Sequence, residues 1–256
     1  IDHVIAEVEK AGYGVDKAIV GITGESVTSS YSTGVVAISG DDQGITKADI
    51  DRVIKSTNQV GVPSGSEIVT VIPRGFSVDN QRGIVNPEAL IGHRLEAEAY
   101  ACAASSSYLR NLRGLLEGSG IGVYDKGFIP SSIASSWAVL TEDEKALGVM
   151  MVDMGLGTLD LAIYVNHEIA YSSVLGRGGS YLALDVAQFF NIPRSEAERV
   201  ILEEGSASAE FLTDGSGDKA IVAQSVSNDI QVTFTRRDLA NVLEAQLDEQ
   251  LGWMKE

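Results

Sequence analysis

The residues best placed to do chemistry run Asp153-Met154-Gly155-Leu156-Gly157-Thr158-Leu159-Asp160. Two glycines and a threonine stand between two apolar runs, and Asp153 closes the first run. Glycine has no Cβ, so a turn of this composition can come close to a ligand and aim successive N–H groups at a phosphate. A carboxylate at the end of a buried strand, as Asp153 is expected to be, can hold Mg²⁺ through water. The same residues also suit a plain β-hairpin in which Gly155 and Gly157 serve only the turn. Short glycine motifs recur by chance, so the turn alone leaves both readings open.

Other groups carry weaker signals. Gly176-Arg177-Gly178-Gly179 precedes an apolar helical run. It suits either the approach of a nucleotide to a helix start or a simple strand-to-helix turn. His3, His93 and His167 share no metal-ligand spacing and read as surface or turn residues. The serine runs at 105–107 and 131–136 lack a nucleophile-elbow pattern and read as caps of the helices that follow. Glu96 and Glu98 fall on one side of a strand and read as a solvated face.

These groups need elements to hold them. Ile1, Val4, Ile5 and Val8 recur at helical spacing, and Gly12 and Gly14 end that helix. No cap precedes it, and Ile1 is not Met, so a start further upstream is expected. Residues 17–22 read as a strand. A second block runs from about Thr28 to Ala104. It holds a strand at 34–39, turn chemistry at Asp41-Asp42-Gln43-Gly44, and a capping box of Thr46 with Asp49. A helix striped by Ile50, Val53 and Ile54 follows, then a break at Pro63-Ser64-Gly65. A strand at 67–72 ends at Pro73, and a strand at 94–101 alternates with Leu95, Ala97, Ala99 and Ala101 on one face. Strand, helix, strand, strand makes a compact α+β module that interrupts an α/β pattern.

The α/β pattern then resumes. Tyr108, Leu109, Leu112, Leu115 and Leu116 stripe a helix that ends at Gly118. A strand at 122–128 precedes a helix begun by Pro130 and Ser131 and striped by Ile133, Trp137 and Leu140. Strands at 148–153, 159–165 and 168–175 form an antiparallel run, the last two joined by Asn166-His167. Helices are predicted at 178–190 and 195–204, a loop at 206–219, a short strand at 231–234 and a last helix at 236–254. Leu239, Leu243, Leu247 and Leu251 lie along one side of that helix.

Composition narrows the function classes. The 256 residues carry a net charge of −17, so a generic nucleic-acid or anionic-membrane surface is excluded by repulsion. Hydrophobic content of 44% with 21% charged residues fits a folded globular chain. The lone cysteine, Cys102, makes no internal disulfide and fits a reducing compartment. No apolar run reaches membrane-spanning length, and there is no signal-peptide pattern.

One family accounts for these features together. Val20-Gly21-Ile22-Thr23-Gly24 is followed by Ser32-Thr33-Gly34-Val35-Val36-Ala37-Ile38. The run 68–72 leads through Pro73 and Phe76 to Val78-Asp79-Asn80-Gln81 and Gly83-Ile84. Pro87, Gly92 and Arg94-Leu95-Glu96-Ala97 continue it. This combination resembles the bacterial cell-division family FtsA, nearly end to end.

The resemblance implies an α/β, actin-like (ribonuclease H-like) bilobed fold with an inserted α+β strand-helix-strand-strand subdomain. Residues 1–27 and 105–147 would belong to subdomain 1A, and 28–104 would be the inserted subdomain 1C. Residues 148–178 would be part of 2A with the second phosphate loop, and 179–256 largely 2B. It further implies ATP and Mg²⁺ in the intact protein, contacted here by Asp153, Gly155, Leu156, Gly157, Thr158, Gly178, Gly179 and Glu198, with Asp153 holding Mg²⁺ through water. Partners implied are a second copy in a filament, other division proteins, and the C-terminal tail of tubulin-like FtsZ. The tail would meet Arg236 and Arg237. The location implied is the inner face of the cytoplasmic membrane at the division site, through a C-terminal helix expected outside this chain. ATP would serve as a structural ligand more than as fuel, so no catalytic residue is assigned.

The chain also departs from the family. Leu156 stands where a small residue is usual, Leu159 where Thr or Ser is usual, and Ile201 where a Lys is expected, while Asp185 matches. With the first phosphate loop expected outside the chain, these residues alone should bind ATP weakly or not at all. Two rival readings are an actin-like ATPase or small-molecule phosphotransferase, and a degenerate actin-like module without nucleotide.

Overall fold

The computed structural model describes residues 1–39, 44–57, 62–213, 215–227 and 230–254. The turn expected at Asp41-Asp42-Gln43 lies outside the described residues. The chain forms two compact units: Ile1–Asp153 with Asp160–Leu175, and Met154–Leu159 with Gly176–Glu256.

The first unit opens with α1 (Asp2–Lys10), β1 (Lys17–Ile22) and β2 (Val27–Ala37). α2 (Lys47–Thr57), β3 (Ser66–Val78), β4 (Gln81–Ile84) and β5 (Arg94–Ser105) follow. Then come α3 (Ser106–Gly118), β6 (Gly122–Pro130), α4 (Ser131–Val139) and α5 (Glu142–Leu147). β7 (Val149–Met154), β8 (Leu159–Val165) and β9 (Glu168–Leu175) close it, Met154 and Leu159 excepted.

β1 pairs with β6 in parallel, and β7, β8 and β9 form a three-stranded sheet in that order. The larger sheet has the order β2-β5-β3-β4 and is antiparallel throughout. Its central strand explains its own composition. Leu95, Ala97 and Ala99 are buried on one face, but from Tyr100 to Ala104 both faces are buried. Small side chains there let neighbours close in from both sides. α2 covers this sheet, starting from the predicted capping box, in which Asp49 accepts from Thr46 N–H at 3.0 Å. It rests on β2 at Gly34, where a Cβ would lie 2.3 Å from Ser56 Oγ and 2.4 Å from Val53 O. Only glycine fits that approach.

The strand at 67–72 does not stop at Pro73. β3 runs on to Val78, with register shifts at 68–70 and 73–75. Proline is tolerated because it sits at a bulge on an edge: β4 pairs with β3 only at Phe76 and Val78. β4 is a strand that the sequence pattern does not predict, although Asp79 and Asn80, both at positive φ, make the tight turn that starts it. α5 is likewise unpredicted. Its signal is the box of Thr141 and Glu144, whose side chains and N–H groups bond reciprocally. The serine runs cap neither α3 nor α4. Ser105 Oγ bonds Ser107 Oγ, while Ser136 bonds the Tyr164 hydroxyl at 2.8 Å.

A hydroxyl cluster fastens β9 to the larger sheet. The Tyr100 hydroxyl lies 2.5 Å from Ser29 Oγ and 3.0 Å from Ser172 Oγ, and it accepts the Ser172 N–H at 2.6 Å. Ser29 Oγ donates to Ser172 O at 2.9 Å, and Tyr31 donates to Ala170 O. Around it pack Ile22, Cys102, Leu109, Phe128, Ile133, Met151, Ala162 and Ile169. The same burial pushes the Cys102 thiol up to about 12.

The second unit holds α6 (Gly179–Phe190), α7 (Arg194–Glu204), β10 (Ala220–Gln224), β11 (Gln231–Thr235) and α8 (Arg236–Trp253). β10 and β11 form an antiparallel hairpin, where the sequence pattern predicts a lone strand. The loop expected at 206–219 contains short 3₁₀ turns at Ala209–Phe211 and Ser216–Asp218. Val186, Ala197, Val200, Ile221, Phe234, Leu239 and Leu243 make the core. The α8 stripe holds at Leu239 and Leu243 but drifts by its end, where Leu251 is exposed and Gln250 is buried.

Tyr100→Phe removes the hydroxyl that the Ser172 N–H and Ser29 use. We expect a loss of about 1–3 kcal/mol, seen as a lower urea midpoint at unchanged m.

Candidate functional site

The glycine turn is built by backbone bonds within the second unit. Gly155 N–H donates to Thr158 O at 2.9 Å, closing the turn between β7 and β8. The carbonyls of Gly155 and Leu156 then accept from Gly179 N–H at 2.9 Å and Ser180 N–H at 2.8 Å. Those two donors open α6, so the start of α6 serves the turn and does not point its first N–H groups at a ligand. Among the described residues, the N–H groups of Leu156 and Gly157 reach no protein acceptor. Leu156 is 73% exposed, and no atom lies within 4 Å of where a Gly157 Cβ would be. Two neighbouring donors at an open turn can cradle one anionic oxygen.

Gly178 makes this closure possible. A Cβ there would lie 2.4 Å from Gly155 O and 2.8 Å from the Leu156 carbonyl. Arg177 precedes Gly178 in the chain. The Arg177 guanidinium lies 4.2 Å from the Trp253 ring centroid and 5.6 Å from that of Tyr181. Burial raises the pKa of Asp185 on α6, and Glu249 on α8 raises it further, against the opposing pull of Arg177.

In the first unit, Asp153 accepts from Ser135 Oγ of α4 at 2.8 Å through one carboxylate oxygen. Asp160 is buried and accepts from Thr23 Oγ1 at 2.7 and 2.8 Å. The Ser135 and Thr23 bonds are not legible in sequence, because each joins residues far apart in the chain.

The remaining candidates lie elsewhere in the second unit. Glu198 sits on α7 in an exposed pair with Arg194 at 3.0 Å, and none of its bonds reaches the glycine turn. Its neighbour Glu196 is held low by Arg199. Arg236 donates from Nε to Glu204 O at 2.8 Å and stands 3.9 Å from the Glu204 carboxylate, which ties β11 and α8 to the end of α7. Arg237 packs over Gly217 and reaches Asp218 only at 4.0 Å. The Thr235–Asp238 capping box starts α8 and holds the Asp238 carboxyl below its ordinary range. Beside it opens an apolar groove of about 510 Å³, lined by Phe189, Phe190, Asn241, Val242 and Ala245, with Asp238 at its edge. Phe190 stacks on Phe234 at 3.8 Å, while Phe189 is 70% exposed.

Comparison with known proteins places these features. Residues 24–102 match the family described as the SHS2 domain inserted in FtsA, and residues 150–250 match the family described as cell division protein FtsA. A PilM–PilN type IV pilus biogenesis complex is similar in fold, with a TM-score of 0.52 at 13% identity over 78% of this chain and 55% of that one. The fold is that of an actin-like α/β protein with an inserted SHS2 domain.

Among curated relatives, cell division protein FtsA of Bacillus subtilis (strain 168) is 32% identical over 264 aligned residues, covering 100% of this chain and 59% of that protein. Cell division protein FtsA of Pseudomonas aeruginosa is 32% identical over 250, covering 97% and 58%. The chain belongs to the FtsA family of cell-division proteins. It spans a little under two thirds of the length of these relatives. Among the described residues, no helix is long and apolar enough to cross a membrane.

Gly178→Ala forces a Cβ against the turn carbonyls. We expect it to destabilise the protein by about 1–3 kcal/mol, whereas Gly157→Ala, facing open space, should shift the thermal midpoint little.

Proposed function

We propose that the intact protein acts in cell division as an actin-like filament former that holds FtsZ at the inner face of the cytoplasmic membrane. The reading rests on the family and on one geometric observation. The unengaged N–H groups of Leu156 and Gly157 stand at a turn locked by Gly178. These residues fit a phosphate: the donors are adjacent, open and fixed by the α6 bonds beneath them. ATP with Mg²⁺, when bound, would supply negative charge that organises the surrounding subdomains, as a structural ligand.

In this reading residues 28–104 act as subdomain 1C, and the glycine turn supplies one side of the nucleotide site. Leu156 and Gly157 donate from the backbone, so the bulk of Leu156 leaves the donors intact. Asp153 offers the carboxylate for water-mediated Mg²⁺, with Ser135 fixing one of its oxygens. Glu198 would serve the nucleoside side, where Ile201 supplies no cation. The missing lysine favours a second reading, a module that keeps the scaffold and has lost nucleotide use.

FtsZ docking is proposed at the start of α8. The groove beside Phe189, Phe190 and Val242 offers apolar contact, and Arg237, half exposed and weakly paired, offers a charge for an acidic tail. Arg236 is engaged by Glu204 and supports the helix start.

Calorimetric titration of the intact gene product with Mg-ATP should give saturable binding. Its absence would favour the module without nucleotide. Arg237→Glu should weaken an FtsZ tail peptide about tenfold, roughly 1.4 kcal/mol; an unchanged affinity would remove this placement.

A further inference from the structure

Within the first unit, the start of β3 meets α3 and β6 over a cavity of about 430 Å³. Arg110 and Arg113 of α3 and Lys126 of β6 line it, together with the buried apolar residues Val69, Leu109 and Phe128. Among the described residues, none of these three cations makes an ion pair, although Arg52, Arg74, Arg94 and Lys145 of the same unit all do. The carboxylates of the lining, Glu67 and Asp125, pair with none of them. Three cations against two carboxylates leave the cavity net positive in a chain of −17. A neighbouring cavity of about 300 Å³ shares Ile68, Val69 and Lys126 with the first and adds Lys55.

This gathering of charge works against local preference. Arg110 and Arg113 stand three residues apart on one helix, where like charges repel. Arg113 leaves Glu117, four residues on, unpaired and lies over the Phe128 ring at 5.2 Å. Arg110 donates from Nε to Ser106 O at 3.2 Å, which fixes the side chain and leaves its terminal nitrogens open. A guanidinium held in either way keeps N–H groups available for an oxyanion and has less freedom to lose on binding. Lys126 is placed by a bulge. Ala18 pairs with Val123 and Val20 with Phe128, so Tyr124, Asp125, Lys126 and Gly127 swing out of β6 opposite Ile19 alone. Lys126 holds φ at 56°, and a Cβ at Gly127 would lie 2.7 Å from Tyr124 O. A lysine in the left-handed region is strained, and the fold retains it where the ammonium joins the two guanidinium groups.

We propose that this cavity is an anion-binding site in which Arg110, Arg113 and Lys126 together take the phosphate group of a small soluble ligand, a phosphate ester or pyrophosphate. A phosphate carries close to two negative charges and three acceptor oxygens, which suits two guanidinium forks and an ammonium better than a single carboxylate does. The apolar residues of the lining leave room for the remainder of the ligand. The proposal uses no residue of the glycine turn and does not rest on the nucleotide reading above.

The test titrates the full-length gene product with inorganic pyrophosphate by calorimetry in Mg²⁺-free buffer. The parent should bind saturably, and Arg110→Gln and Arg113→Gln should each weaken binding about tenfold. Lys126→Gly separates binding from folding: glycine accepts the positive φ, so the thermal midpoint should not fall while the affinity does. A parent that does not bind, or Arg113→Gln and Lys126→Gly both within about twofold of the parent, overturns the proposal. If a hexaglutamate peptide binds more tightly than pyrophosphate and loses that affinity in Arg113→Gln, the cavity serves an acidic protein segment and the small-ligand assignment fails.

Discussion

The second unit depends on one close approach. The backbone at Gly178 comes within contact of the Gly155 and Leu156 carbonyls, and the first two N–H groups of α6 bond to those same carbonyls. A helix start and a hairpin turn would otherwise each carry unpaired backbone groups. Joined, each satisfies the other on one side, and the hairpin's remaining N–H groups are left facing outward. The two open donors of the turn thus follow from a backbone constraint, which the Leu156 side chain does not enter. A Cβ at residue 178 would break the arrangement however favourable the loop's own composition.

The first unit solves a different problem, that of seating an inserted sheet. β5 is flanked by β2 and β3 and buried on both faces over Tyr100–Ala104, so its composition turns to alanine and cysteine there. Apolar packing alone is non-directional and would tolerate sliding. The Tyr100 hydroxyl, bonded to Ser29 and Ser172, adds direction, because hydrogen bonds in a dry interior must be matched in register or lost. Arg74 repeats the device at the rim, resting on the Tyr31 ring and paired to Glu168 at 2.7 Å.

What the sequence reveals follows the range of the forces involved. Local rules find β1, β8 and β9 to the residue, and the Thr46–Asp49 box that starts α2. The glycine turn is legible as a candidate because Gly155, Gly157 and Asp153 are neighbours in the chain. Its mechanism is not, since Gly178 acts on Gly155 across more than twenty residues. β3 runs past Pro73 because its outer edge is open there, a fact of sheet order and not of local propensity. The serines near 131–136 have the composition of caps, but Ser135 and Ser136 are drawn instead to Asp153 and Tyr164. Short hydroxyl side chains bond whatever the fold brings near, so their partners are the last thing sequence discloses.

Charge supplies the final constraint. A chain of −17 repels anions at long range, so a phosphate or an acidic peptide is attracted only where local donors outweigh the general field. Exposed pairs such as Arg194–Glu198 and Arg199–Glu203 contribute little stability, but they cancel cations that would otherwise attract anions at the wrong place. Against that background, unengaged backbone N–H groups and the few loosely held guanidinium groups become selective features. Arg236 and Arg237 are adjacent in sequence yet differ in kind. The first is tied to Glu204 and supports the helix, while the second stands at the limit of pairing with Asp218. On a surface this acidic, an anion meets favourable charge only where the fold has left a donor uncommitted.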